Sequence, residues 1–308
     1  MSGYAAAAIV VLIWASYPVA TRAGVTGPFA PLDLMLLRFG VGALLFLPYL
    51  ALQFRVIRPD AWLRGIPLTL FQGAGMAALV IFGLQFAPAN HAAALGPGVA
   101  PAWVALLGVL LFARQPSTRM IVGAALCAIG VATLTGWSAW AGQPEVLKGD
   151  AMFLAASALG ALYVLQLRNW GIGALQGAAI VTIYSALIVV PWHLWSASGA
   201  LSQTDPGELL WQVLWQGVLI GCVALIALNH AISRLGPERA IALVALVPAL
   251  SAVLGFLFLG EIPSNTEIAA ILAISAGVSI GASRGYGGNP AASSAAAKRP
   301  ACGLARPG

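Results

Sequence analysis

From residue 3 to residue 284 the chain is a succession of apolar stretches of about twenty residues, separated by short polar breaks. That length is what an α-helix needs to cross the hydrocarbon core of a bilayer. The stretches read as helices over 3–22, 33–54, 63–86, 91–112, 118–137, 149–168, 174–195, 209–233, 238–259 and 265–284. Only 8% of the 308 residues are charged, against about 25% in an ordinary soluble domain. A water-soluble globule of this size could not cover its surface with so few charges, so lipid is the expected solvent. The first run follows Met1 and Ser2 with no basic leader and no clear cleavage site, and further runs follow it. It is therefore expected to stay as a helix. The expected fold class is an all-α polytopic membrane protein of ten transmembrane helices.

The net charge of +6 finds its reason in topology. With both termini placed in the cytoplasm, that side receives Arg55, Arg58, Arg64, Arg114, Arg119, Arg168, Arg234, Arg239, Arg284, Lys298, Arg299 and Arg306. The other side receives Arg22, Arg38 and Lys148 with most of the acids: Asp33, Glu145, Asp150, Asp205, Glu208, Glu261 and Glu267. This is the positive-inside bias, and no nucleic-acid partner is expected. Cys127 and Cys222 lie in apolar runs and Cys302 in the tail, so no disulfide framework is expected. Residues 285–308, rich in Gly, Ala, Pro and Ser, read as a disordered cytoplasmic tail.

The second half restates the first. At an offset of 147, VAPAWVALLGVLLFARQPS (99–117) falls on LVPALSAVLGFLFLGEIPS (246–264), aligning Pro101 with Pro248, Gly108 with Gly255 and Pro116 with Pro263. One residue out of that register, Gly3, Tyr17 and Arg22 align with Gly149, Tyr163 and Arg168. The expected division is a repeat over 1–137, an external linker over 138–148 and a second repeat over 149–284. Five helices per unit is an odd number, so the two units enter the membrane from opposite sides. Inverted repeats are a common basis of alternating-access carriers; a duplication kept for assembly alone is the other reading.

LIWASYPVATRAG (12–24), PLDLMLLRFGVGALL (31–45, with Pro31 and Arg38 spaced as they are) and the Pro-bearing 246–264 ending in Gly260-Glu261 together resemble the EamA type of the drug/metabolite transporter superfamily. The likeness covers 3–284. It implies a bacterial inner-membrane carrier of metabolites, often an exporter, with helices 1, 3, 4, 6, 8 and 9 around a central cavity. Within the superfamily the sequence looks closest to YddG-like exporters of aromatic amino acids. It departs from the pattern at Ala113-Arg114, where the first repeat lacks the Gly-Glu turn.

The residues themselves narrow the solute. No Asp, Glu or Lys falls in the middle of an expected helix, and Arg22, Arg38 and Arg168 are read at helix ends. Groups that relay protons or hold charged solutes at depth are ionisable, so an uncharged or zwitterionic small molecule is the expected partner, with aromatic and apolar amino acids foremost. Donors and walls for it are Trp14, Ser16 and Tyr17 on helix 1, Gln72 and Met76 on helix 3, His91 and Trp103 on helix 4, Tyr163 and Gln166 on helix 6, and Ser251 on helix 9. Tyr17 and Tyr163 are the preferred pair, set opposite each other by the repeat.

Each has a plainer reading. Trp137, Trp195 and Trp211 fit interfacial belts, as do His91 and His193. Gln72 and Gln166 could instead bond between helices, at about 0.6 kcal/mol each. Gly277 and Gly281 read as a packing or dimer face, leaving monomer and homodimer open. No G-x-S-x-G, H-E-x-x-H or intramembrane Asp pair is present, and no metal or cofactor is expected. Asn229-His230 is the remaining enzyme-like pair, of an acyltransferase type. Within transport, a passive pore is the rival class.

LGPGVAPAW (95–103) carries turn residues inside an apolar run. Its partner over 242–248 has only Pro248, so both are expected to be helix, bent rather than ended. Pro97, Pro101 and Pro248 would free the carbonyls of Ala93, Pro97 and Val244, making Gly96, Pro97, Gly98, Pro101 and Pro248 the expected hinge.

Overall fold

A computed structural model of the chain describes residues 2–113, 115–196, 201, 204–235 and 243–282. The expected tail, Arg114, and the start of the ninth helix (238–242) lie outside the described residues. Ten helical units appear among the described residues, without strands. They are α1 Gly3–Thr26, α2 Pro31–Gln53, α3 Pro59–Gly83, α4 in two parts (Ala89–Leu95 and Ala100–Phe112) and α5 Thr118–Trp140. After them come α6 Pro144–Asn169, α7 Ala174–Ser196, α8 (Pro206–Gln212, Val213–Val223 and Ala224–Leu235 in sequence), α9 Val247–Leu259 and α10 Asn265–Ala282. The first eight contain windows long and apolar enough to cross a membrane, and α9 and α10 are shorter apolar helices. The all-α polytopic fold is as expected. Leu44, Leu52, Ile66, Leu110 and Phe258 are exposed on the outside of the bundle, a surface that suits lipid and not water.

Local chemistry sets the helix ends. Ser2 Oγ accepts the Ala5 N–H and Ser117 Oγ the Met120 N–H, closing the first turns of α1 and α5. Ser264 and Glu267 form a reciprocal capping box on α10: Ser264 Oγ accepts the Glu267 N–H at 3.2 Å and Glu267 Oε2 accepts the Ser264 N–H at 2.6 Å. α6 begins at Pro144, five residues earlier than expected, with Pro in the first helical position and Glu145 in the first turn. The expected linker 138–148 therefore contracts to 141–143, between Trp140 and Pro144. Ala113 and Gly260, 147 residues apart, end α4 and α9 in the same left-handed conformation, with φ of 49° and 68°. Ala113 takes this conformation without glycine's freedom, at a cost of about 1–2 kcal/mol.

Packing follows the repeat. α1 packs on α8 and α9, as α6 packs on α3 and α4; α2 packs on α8 as α7 packs on α3. Renumbering α1–α5 as α6–α10 leaves this pattern unchanged. α5 and α10 are exchanged with each other and form the most extensive helix pair in the bundle. They run antiparallel. A Cβ on Gly123 would stand 2.5 Å from Gly277 O, one on Gly277 2.6 Å from Gly123 O, and one on Gly130 2.8 Å from Ala270 O. Cys127 and Ile274, again 147 apart, face each other at the centre, Sγ to carbonyl 3.7 Å. A twofold that exchanges antiparallel neighbours runs perpendicular to them, which is the geometry of an inverted repeat. Gly277 and Gly281 are thus packed inside the chain, and the dimer-face reading of that spacing is corrected.

Side chains at Gly123 or Gly277 would have to push the two backbones apart. Gly123→Leu and Gly277→Leu are each expected to destabilise the protein by at least about 1–3 kcal/mol. Gly136→Leu, on the same α5 with nothing within 4 Å of its Cβ, should leave the melting temperature in detergent unchanged.

Candidate functional site

Two pairs of helix irregularities are related by the repeat. α3 breaks at Gly73, and its partner α8 widens into a π-helical stretch over Val213–Val223. α4 breaks over 96–99, and a turn at Ala245 and Leu246 precedes its partner α9. Residues 95–103 are therefore ended and restarted, not bent, and 242–248 is not plainly helical where described; both expectations are corrected. Pro101 and Pro248 each occupy the second position of a new helix, where an N–H has no helical acceptor in any case. The Ala93 carbonyl is not freed: it accepts the Gly98 N–H at 3.1 Å. A side chain at Gly98 would collide with the Ala94 carbonyl and lie 2.9 Å from Ile274.

Neighbouring helices satisfy the broken backbone. Ser157 Oγ on α6 donates to Gly96 O at 2.7 Å. Ser185 Oγ on α7 accepts the Ala74 N–H at 2.9 Å. Such cover is required where non-helical backbone lies at membrane depth.

The candidate binding residues divide around these breaks. Trp14 packs with Ala93 and Val247, beside the break of α4 and the turn before α9. Gln72 is the last residue before Gly73; a Cβ on Gly160 of α6 would stand 3.5 Å from Gln72 Oε1 and 3.6 Å from Met76 Sδ. Trp103 Nε1, Gln166 Oε1 and Ser251 Oγ are buried and make no hydrogen bond in the structure. Ser16 turns its hydroxyl to Leu12 O at 2.6 Å on its own helix. Tyr17 and Tyr163 are not brought together. Tyr17 Oη accepts from Arg38 Nη1 at 2.7 Å, whereas Tyr163 packs among Ile172, Ala179 and Ile180 on the α7 side. The repeat accounts for this: it exchanges α2 with α7, so each tyrosine leans on the second helix of its own repeat.

The end of the bundle where α1 finishes, termed the distal end, is stitched by polar contacts. Arg22 Nε donates to Glu261 Oε1 at 3.2 Å, and its Nη1 donates to the Leu84 carbonyl. Glu261 Oε2 accepts the Ala89 N–H at 2.9 Å, joining the start of α4 to the turn after α9. His91, fully buried, sets Nδ1 2.7 Å from Asp150 Oδ1 and Nε2 3.0 Å from Glu267 Oε1. Two imidazole–carboxylate contacts need two protons shared among the three groups. His193 Nε2 lies 2.7 Å from Asp33 Oδ1, and Gln212 Nε2 donates to Ala20 O at 2.8 Å. Every helix but α5 takes part. Along α1 one face is buried, through Ala6, Ala7, Val10, Val19 and Thr21, and the other is exposed at both ends, at Tyr4 and Leu12 and again at Ala23 and Thr26.

His91 is therefore a linker between α4, α6 and α10 in this state, with both ring nitrogens occupied, and not a free donor for a solute. His193, in the last turn of α7, is buried against Asp33. The expectation that ionisable groups stay at helix ends is corrected as well. Asp150 is the seventh residue of α6, and Arg38 lies in a π-turn at Leu37–Val41 inside α2. The signal for Asp150 was present in Pro144-Glu145, a good helix start.

The sequence profile of the EamA-like transporter family matches the chain twice, over residues 1–136 and 147–281. The "Probable terminal-alkyne amino-acid exporter" of Streptantibioticus cattleyicolor is 25% identical over 269 residues, covering 83% of this chain and 84% of that protein. A protein of known crystal structure superposes with a TM-score of 0.61 over 91% of this chain and 96% of its own, at 20% identity; that likeness concerns the fold alone.

Removing the histidine from the buried trio leaves two carboxylates facing an empty position. His91→Leu is expected to destabilise the protein by about 3–5 kcal/mol. The triple variant His91→Leu, Asp150→Asn, Glu267→Gln should recover most of the loss. Thermal unfolding in detergent measures both, and equal losses would show that the trio is not electrostatically coupled.

Proposed function

Because the chain belongs to the EamA-like transporter family, we propose that it exports small neutral amphipathic metabolites, aromatic and apolar amino acids foremost, across a bacterial inner membrane by alternating access. The observation that carries this reading is the set of irregularities paired by the repeat: the break in α3 with the π-stretch of α8, and the break in α4 with the turn before α9. Discontinuous helices at the repeat interface are where carriers hold their solute. The unpaired Trp103 Nε1, Gln166 Oε1 and Ser251 Oγ supply neutral hydrogen-bonding groups, and Trp14, Met76 and Trp103 supply apolar and aromatic walls. The relative named as an amino-acid exporter agrees in solute class.

With both termini cytoplasmic, the stitched distal end faces outward. Transport requires the distal contacts to part as the inner ends close, with the break in α4 and the turn before α9 absorbing the change in helix direction. The hinge group of Gly96, Pro97, Gly98, Pro101 and Pro248 retains that role as the means of restarting a helix.

Proteoliposomes preloaded with phenylalanine should show saturable counterflow of labelled phenylalanine, and those preloaded with arginine or a lipophilic cation should not. Equal exchange with arginine, or none with phenylalanine, would sink the solute class; unsaturable flux would indicate a pore. Pro97→Ala combined with Pro101→Ala should insert normally but exchange more slowly, and an unchanged rate would remove the hinge.

A further inference from the structure

We propose that Arg38 is the anchor for the carboxylate of the transported solute, presented by Tyr17 just beneath the distal closure. The proposal rests on the amino-acid reading above and deepens it. A guanidinium at membrane depth is expensive unless it pairs or lines a pathway. The other arginines whose contacts are described show the ordinary solution: Arg22 pairs with Glu261, and Arg58 and Arg64 pair with Asp60. Arg38 has no carboxylate within 4 Å among the described residues. One of its five N–H donors goes to Tyr17 Oη at 2.7 Å. The guanidinium carbon lies 5.1 Å from the Tyr17 ring centroid and 5.7 Å from that of Phe39. The remaining donors have no protein acceptor among the described residues, and the side chain is only half-buried.

The backbone fixes this placement. Arg38 lies in the π-turn Leu37–Val41 of α2, which packs against the π-stretch of α8. Gly217 permits the approach, since a Cβ there would stand 2.5 Å from Val41 Cβ and 3.1 Å from Leu37 O. π-turns recur at functional sites because the extra residue redirects a side chain. Depth agrees from both directions. At 1.5 Å per residue, Tyr17 is about 21 Å along α1 from Gly3, and Arg38 about 10 Å below Pro31. Arg22 and the distal closure lie roughly 7 Å above Tyr17 on the same helix. The cation therefore lies just beneath the distal contacts.

An acceptor stands nearby. Gln216, in the same π-stretch, donates to Thr21 Oγ1 at 2.9 Å, one turn along α1 from Tyr17. Its Oε1 is fully buried and makes no hydrogen bond. A cationic donor and a neutral acceptor at one junction fit a carboxylate and an ammonium on one small molecule.

The test is competition against phenylalanine counterflow in proteoliposomes, using phenylalanine, phenylalanine methyl ester and phenethylamine on the wild type, Arg38→Lys and Arg38→Gln. The wild type should prefer phenylalanine over both analogues by about 10- to 100-fold, as a charge-assisted hydrogen bond is lost. Arg38→Gln should weaken phenylalanine by a similar factor while changing the ester by less than about twofold, and Arg38→Lys should fall between. An ester that competes as well as the acid on the wild type overturns the proposal without any variant. So does an Arg38→Gln that weakens acid and ester equally, the result of a merely structural role. Absence of phenylalanine counterflow in the wild type would instead count against the solute class.

Discussion

A bilayer core offers the backbone no hydrogen-bond partner, and the rest of this structure follows from that. Helices satisfy their own backbone, so the chain is helical wherever it meets lipid. Where a helix breaks, another helix must supply the missing partner. Ser157 does this for the Gly96 carbonyl and Ser185 for the Ala74 N–H. Each partner comes from the opposite repeat. The interruptions are therefore also points where the halves hold each other, so loosening one contact changes both.

The same constraint accounts for the distal end. Helix termini and ionisable groups there are partly or wholly removed from water, and they are matched pairwise: Arg22 with Glu261, His91 with Asp150 and Glu267, His193 with Asp33. Buried ion pairs contribute little net stability, because desolvation offsets most of the attraction. Under the proposed alternating access, that suits a closure which must open. An apolar seal of equal area would be harder to part, whereas matched charges can exchange partners with water and ions.

Much of this was legible in the sequence. Run length and charge placement gave the spans, and the offset of 147 gave the pairing of Ala113 with Gly260 and of Cys127 with Ile274. Side-chain direction was not legible. Tyr17 and Tyr163 align in sequence, yet symmetry turns each toward its own repeat's second helix. Asp150 looked terminal because α6 was started at residue 149, so its burial and its bond to His91 went unseen. Arg38 looked terminal for a related reason: periodicity reports a regular 3.6-residue turn and is blind to a π-turn. In the stretch 95–103, residue identity was right about the interruption where alignment to a plainer partner argued against it.

The glycine seam between α5 and α10 has a mechanical meaning. The pseudo-twofold passes through it at Cys127 and Ile274, and the backbones come together at Gly123, Gly130 and Gly277. Contact of this kind leaves no side-chain slack, so a displacement of one helix at these glycines passes directly to the other. The most tightly joined pair of helices thus acts as a keel that ties one repeat to the other.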